Sequence, residues 1–95
     1  MAGTVVVRVD VTVSGKLKDY RALAVPSVEN YGGRILLRGV AGETLEGSWD
    51  FTRVVELEFE SLQRTKEWYN SPEYREAIAA REGAATFHML AVAGV

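Results

Sequence analysis

The sequence predicts an α+β domain whose elements run in the order βαββαβ, and three observations carry that expectation. Four short segments alternate their residues with period two and are rich in β-branched and aromatic side chains, as strands are. Between the first and second, and between the third and fourth, apolar residues recur every three or four positions, as on a helix lying against a sheet. The chain has 95 residues, so residues 1–95 are expected to form a single domain around one core.

The first strand is Val5-Val6-Val7-Arg8-Val9-Asp10-Val11, with Val5, Val7, Val9 and Val11 on one face and Val6, Arg8 and Asp10 on the other. Ser14-Gly15 ends it. Leu17, Tyr20, Ala24, Val28 and Tyr31 then mark an amphipathic helix of about four turns. Pro26 lacks a backbone donor, so a kink or restart is expected there. Gly32-Gly33 closes this helix, because the residue after a helix end commonly needs a positive φ. The second strand runs from Arg34 to Val40, and simple alternation puts Ile35 and Leu37 opposite Arg34, Leu36 and Arg38. A long connection over 41–52 follows. The third strand, Arg53 to Phe59, sets Val55, Leu57 and Phe59 against Val54, Glu56 and Glu58. A helix over 61–70 comes next, and Ser71-Pro72-Glu73 starts another: serine caps, proline suits the first turn, and glutamate favours the positive end of the dipole. Gly83 ends that segment, and Phe87 to Ala93 is the last strand. This order is the ferredoxin-like one, a four-stranded antiparallel sheet with its helices on one face.

Composition narrows the function classes. The net charge is −2 and no basic stripe is visible, which argues against nucleic acid as a partner. The chain has no cysteine, which removes disulfides, thiolate chemistry and cysteine-ligated metals and fits a reducing cytoplasm. The first residues carry no basic segment followed by a long apolar one, so no signal peptide is read. No apolar run approaches the ~20 residues of a membrane span.

The sheet face away from the helices is expected to be mixed rather than polar. Parity puts Val6, Leu36, Val54, Leu90 and Val92 there, among Arg8, Asp10, Arg34, Arg38, Glu56, Glu58 and His88. A solvated face alternates more cleanly to polar residues. The mixture, with cations and anions in balance, predicts burial against a second copy, a homodimer. A solvated face with scattered valines is the alternative.

Several segments also resemble the bacterial domain-of-unknown-function family 1330. They are Tyr31-Gly32-Gly33-Arg34, Arg38-Gly39, Leu45-Glu46-Gly47 with Trp49, Arg53-Val54-Val55, Glu58-Phe59, Trp68-Tyr69-Asn70-Ser71-Pro72-Glu73-Tyr74, Arg81-Glu82 and Gly94-Val95. The resemblance covers nearly the whole chain, and the Trp-Tyr-x-Ser-Pro-Glu-Tyr run is its most specific part. It implies a dimeric α+β barrel, two ferredoxin-like sheets packed face to face. That superfamily holds small monooxygenases, haem-degrading enzymes and muconolactone-type isomerases, while the family itself implies no particular reaction. The chain departs from the family pattern at Leu17, Val40, Phe51 and Ala93.

The candidate site residues each carry two readings. His88 is the only histidine, a general base or a strand histidine bonded to a carboxylate. One histidine without cysteine is a poor metal set, so no metal and no cofactor is expected. Arg38 and Glu58 share a face by parity, as an anchor for a substrate carboxylate or as an ion pair at the dimer seam. Glu46 and Trp49 lie in the long connection, where Glu46 suits proton abstraction and Trp49 suits either closing a pocket or reaching a partner. Tyr20, Tyr31, Trp68, Tyr69 and Tyr74 make the helix layer aromatic, as cavity lining or as plain core. A ligand pocket is expected between helices and sheet with the 41–52 connection as its lid, although parity turns His88 and Arg38 away from it. Three functions stay open: a metal-free isomerase, lyase or cofactor-independent monooxygenase acting on a small molecule, a non-catalytic binding or structural dimer, and haem binding through His88, for which a lone histidine is the one motive.

Overall fold

A computed structural model describes residues 2–49 and 51–94; Val95, which closes the family resemblance, lies outside them. The elements are β1 (Gly3–Val11), α1 (Ser14–Asn30), β2 (Arg34–Val40), β3 (Arg53–Phe59), α2 (Leu62–Tyr69), α3 (Pro72–Ala80) and β4 (Ala85–Ala93). The strands form one antiparallel sheet in the order β2-β3-β1-β4, with β2 and β4 at its edges. The expected ferredoxin-like order is therefore observed, with the second helical stretch divided into α2 and α3.

The division is written in two serines. Ser61 Oγ accepts from the Arg64 amide at 3.1 Å and opens α2. Ser71 Oγ accepts from the Tyr74 amide at 3.2 Å and donates to the Trp68 carbonyl at 2.7 Å, so one side chain caps the start of α3 and ties it to the end of α2. Pro72 follows at the first helical position, where its missing donor costs nothing.

α1 does not restart at Pro26 but runs unbroken from Ser14 to Asn30. Pro26 is on the exposed side, while Ala24, Ser27 and Val28 on the buried side hold the helix in place. Ser27 Oγ donates to the Ala24 carbonyl at 2.6 Å and accepts from Trp68 Nε1 at 3.1 Å, which pins this stretch of α1 to α2. The helix ends as the glycine pair predicts. Gly32 has φ +75°, and a β-carbon on Gly33 would lie 2.5 Å from the Phe59 ring.

Helix-side residues from all layers make the core: Val5, Val7 and Val9 of β1, Leu57 and Phe59 of β3, Ala24 and Val28 of α1, Trp68 of α2, and Tyr74 and Ala77 of α3. Trp68 and Tyr74 stack at 4.2 Å between centroids, with Phe59 on the other side of Trp68 at 5.1 Å.

One correction to simple alternation matters for function. Between Ile35 and Leu37 the β2–β3 register shifts by one residue. Before the shift Arg34 pairs with Glu58 and Ile35 with Leu57; after it Leu37 pairs with Glu56 and Arg38 with Val55. Paired residues point to the same side of a sheet, so the bulge reverses parity along β2. Arg38 therefore lies on the helix side, not on the open face, and Leu37 takes a place on the open face instead. The helix-side face is accordingly not wholly apolar. Arg38 and Glu58 do not meet; Glu58 holds Arg34, with Nη2 to Oε1 at 2.7 Å.

Candidate functional site

α1 packs laterally on α3 and stands off the sheet. The gap is a cavity of about 390 Å³, within the range of about 300–1,000 Å³ typical of small-molecule pockets. Its roof is one stripe of α1: Leu17, Tyr20, Arg21, Ala24, Val25 and Val28. Those positions recur at three and four residues, which is why a single helix face supplies them all. The floor is laid in rows by strand pairing. Val40, Arg53, Val9 and Phe87 form one row, and Arg38, Val55, Val7 and Met89 the next. Trp68 of α2 also lines it.

The polar content is narrow in kind. Tyr20, Arg21, Arg38 and Arg53 line the cavity, and among the described residues no aspartate, glutamate or histidine does. Arg53 and Arg38 stand on neighbouring strands, one row apart on the same face.

Tyr20 belongs to a hydrogen-bonded chain running back into the core. Its hydroxyl shares a 2.8 Å hydrogen bond with that of Tyr74, and Arg81 Nη1 donates to the Tyr74 hydroxyl at 3.0 Å. Met89 Sδ accepts from the same hydroxyl at 3.7 Å. Burial pushes Tyr20 above its usual value of 10.0, against the lowering effects of Tyr74 and Arg81. Burial pushes Tyr74 up as well, reinforced by Tyr20. Arg81 lies over Phe87, its guanidinium carbon 3.8 Å from the ring centroid, and among the described residues no carboxylate pairs with it.

The described residues of the 41–52 connection lie toward the other side of the sheet. Arg8, which points from β1 to the open face, sits 4.4 Å from the Trp49 ring centroid and 5.9 Å from that of Phe51. Phe51 meets the His88 ring edge-on at 5.0 Å. The connection is thus not the lid of the α1 cavity. Its own residues, Glu46, Trp49 and Phe51 among them, line a separate hollow.

The expected site residues therefore divide. Tyr20, Trp68 and Arg38 come together in the α1 cavity. His88, Trp49 and Glu46 stay with the open face and its connection, and Glu58 is committed to Arg34. Tyr31 and Tyr69 do not reach the cavity; they carry Arg64 and Arg75 on their faces at 4.8 and 4.4 Å. Arg21 and Arg53 were missed, although each had a signal. Arg21 stands four residues after Leu17 on the buried stripe, and Arg53 shares the parity of Val55.

A profile of the domain of unknown function DUF1330 matches residues 2–95. The chain belongs to that family. No curated protein matches it. Among solved structures this DUF1330 chain is similar to the RPA0582 protein of unknown function from Rhodopseudomonas palustris. That match has a TM-score of 0.80 and 19% identity, covering 99% of this chain and 82% of the other. It is similar to SnoaB, a cofactor-independent oxygenase from Streptomyces nogalater, with TM-score 0.68, 11% identity and coverage of 99% and 93%. It is also similar to a dimeric ferredoxin-like protein of unknown function from Jannaschia sp. CCS1, with TM-score 0.69, 8% identity and coverage of 99% and 100%. At these identities the likeness is one of fold. Among the described residues of the DUF1330 chain no helix is long and apolar enough to cross a membrane.

Proposed function

We propose that residues 1–95 work as one domain that binds a small organic molecule in the α1 cavity, as a cytoplasmic homodimer joined through the open sheet face. The observation that carries this reading is the cavity itself: apolar walls, a size that suits one small ligand, and a few convergent polar groups. The dimer is supported by Leu37, Leu90 and Val92, exposed together on the open face, and by the dimeric ferredoxin-like relative. A cytoplasmic location is supported by a chain free of cysteine.

The chemistry such a site offers is stabilisation of an oxyanion without a metal. Arginines supply fixed positive charge, and Tyr20, kept protonated by burial, supplies a hydrogen-bond donor once the single Tyr74 proton turns from Met89 Sδ to the Tyr20 oxygen, with Arg81 donating to Tyr74. That suits a metal-free isomerase, lyase or cofactor-independent monooxygenase, the last in keeping with the likeness to SnoaB. A non-catalytic binder is the second reading, and the observation favouring it is that among the described residues no carboxylate or imidazole lines the cavity to act as a base.

Saturation-transfer NMR with a panel of small aromatic molecules tests the binding. Those that bind are expected to lose contact in Val25→Trp, which fills the cavity from its roof, and to keep it in Glu46→Gln and Trp49→Ala. Binding lost in the latter two and kept in the first would move the site to the 41–52 connection. Turnover of a bound molecule, followed by mass spectrometry, separates the enzyme from the binder.

A further inference from the structure

The chain has eight arginines, and five are committed to partners. Arg34 and Arg64 pair with Glu58 and Glu67. Arg75 donates to the Tyr69 carbonyl and Arg81 to the Tyr74 hydroxyl. Arg8 stacks between Trp49 and Phe51. The remaining three, Arg21, Arg38 and Arg53, have neither an ion pair nor a side-chain hydrogen bond among the described residues, and all three line the α1 cavity.

That coincidence has an electrostatic consequence. Three cations gathered on apolar walls repel one another and raise the potential inside, because among the described residues no carboxylate lines the cavity to offset them. Arg38 and Arg53 are diagonal neighbours on the floor, with Cα atoms about 7–8 Å apart in such pairs, a span one bound carboxylate bridges. Arg21 descends from α1 opposite them. Arg38 is there only because of the bulge at Leu36; regular pairing would turn it to the open face beside Arg34. A distortion that brings a third cation under α1 gains nothing for packing, and bulges commonly serve to re-aim a side chain at a site.

We propose that the ligand is a planar organic anion, an aromatic carboxylate or an enolate of one or two rings. Its anionic group sits between the Arg38 and Arg53 guanidiniums with Arg21 above. Its ring lies under α1 against Val7 and Val55, and Tyr20 donates to a second oxygen. This inference rests on the α1 cavity being the binding site, and it names the class of molecule bound there.

The test compares two molecules of one shape that differ in charge, 2-naphthoate and 2-naphthamide, by isothermal titration calorimetry. Naphthoate is expected to bind the wild-type protein at least about tenfold more tightly, since hydrogen bonds to a charged group are worth roughly that factor or more. The preference is expected to vanish in Arg38→Gln and to survive in Arg34→Gln, which removes the same charge four residues away on the same strand. Both positions are exposed on an edge strand, and matching circular dichroism melts confirm that both variants fold. Equal binding of the two molecules overturns the anion site and leaves the cavity as a binding site. No binding of either overturns both. A preference that survives Arg38→Gln and vanishes in Arg34→Gln overturns the placement under α1.

Discussion

The helix-side face of the sheet and its open face come from the same four strands, yet their charges live differently. On the open face opposite charges sit side by side: Arg34 holds Glu58, and Glu56 and Asp10 share the surface with Arg8 under Trp49. On the helix side the described residues of the sheet bring in only positive charge, and it enters at the cavity. Charges of both signs, two arginines against three carboxylates, among exposed leucine and valine suit a surface that meets a copy of itself. Unbalanced charge in an apolar recess suits a surface that waits for a ligand to complete it. The residue that decides which face is which is Arg38, and its side is set by one bulge.

Substitutions on the two faces should therefore separate stability, association and binding. Trp68→Ala is expected to have the largest effect, costing roughly 3–5 kcal/mol of unfolding free energy in urea titrations. Trp68 is 1% exposed, and its loss also leaves the Ser27 hydroxyl without its donor. A cost below about 1 kcal/mol would break the assignment of the core to the helix side. Leu90→Glu is expected to weaken the dimer about a hundredfold by burying an unpaired charge. Leu90 is 64% exposed in the single chain, so the folded monomer should remain. Sedimentation velocity reads both, and an unchanged dimer would place the interface elsewhere. Arg34→Leu strands Glu58 at that interface and is expected to cost the dimer about 1 kcal/mol, whereas Arg38→Leu should leave association untouched. The smallest effect is confined to alkaline solution. Burial holds the folded-state values of Tyr20 and Tyr74 above the usual 10.0. The folded protein thus keeps protons that the unfolded chain releases, and the contribution of these two groups to stability is unchanged below pH 10 and falls above it. Tyr74→Phe should flatten that alkaline fall in thermal melts; an unchanged slope would show that the pair ionises as freely as exposed tyrosine.

Much of this architecture is legible in the sequence because it rests on local chemistry. The valines of β1, the Gly32-Gly33 stop and the Ser71-Pro72 start each encode their geometry in neighbouring residues. The place of Tyr20 on the cavity side of α1 follows from helical spacing in the same way. The bulge in β2 is not legible. Arg34-Ile35-Leu36-Leu37-Arg38 alternates imperfectly, but three consecutive apolar residues fit either register, and nothing local says which one is skipped. That single ambiguity moves Arg38 to the opposite face and separates it from Glu58. The side taken by the 41–52 connection is equally hidden, because it depends on the Arg8 guanidinium finding Trp49 and Phe51 across a long stretch of chain. Long-range stacking of this kind leaves no periodic trace.

The division of labour between the two faces is tested most directly by a crystal structure of the protein grown with 2-naphthoate. The expected result is a second copy covering Leu37, Leu90 and Val92, with the naphthoate under α1 and its carboxylate within hydrogen-bonding distance of Arg38. Naphthoate seated against the 41–52 connection, with Arg38 turned to the open face beside Arg34, would contradict it.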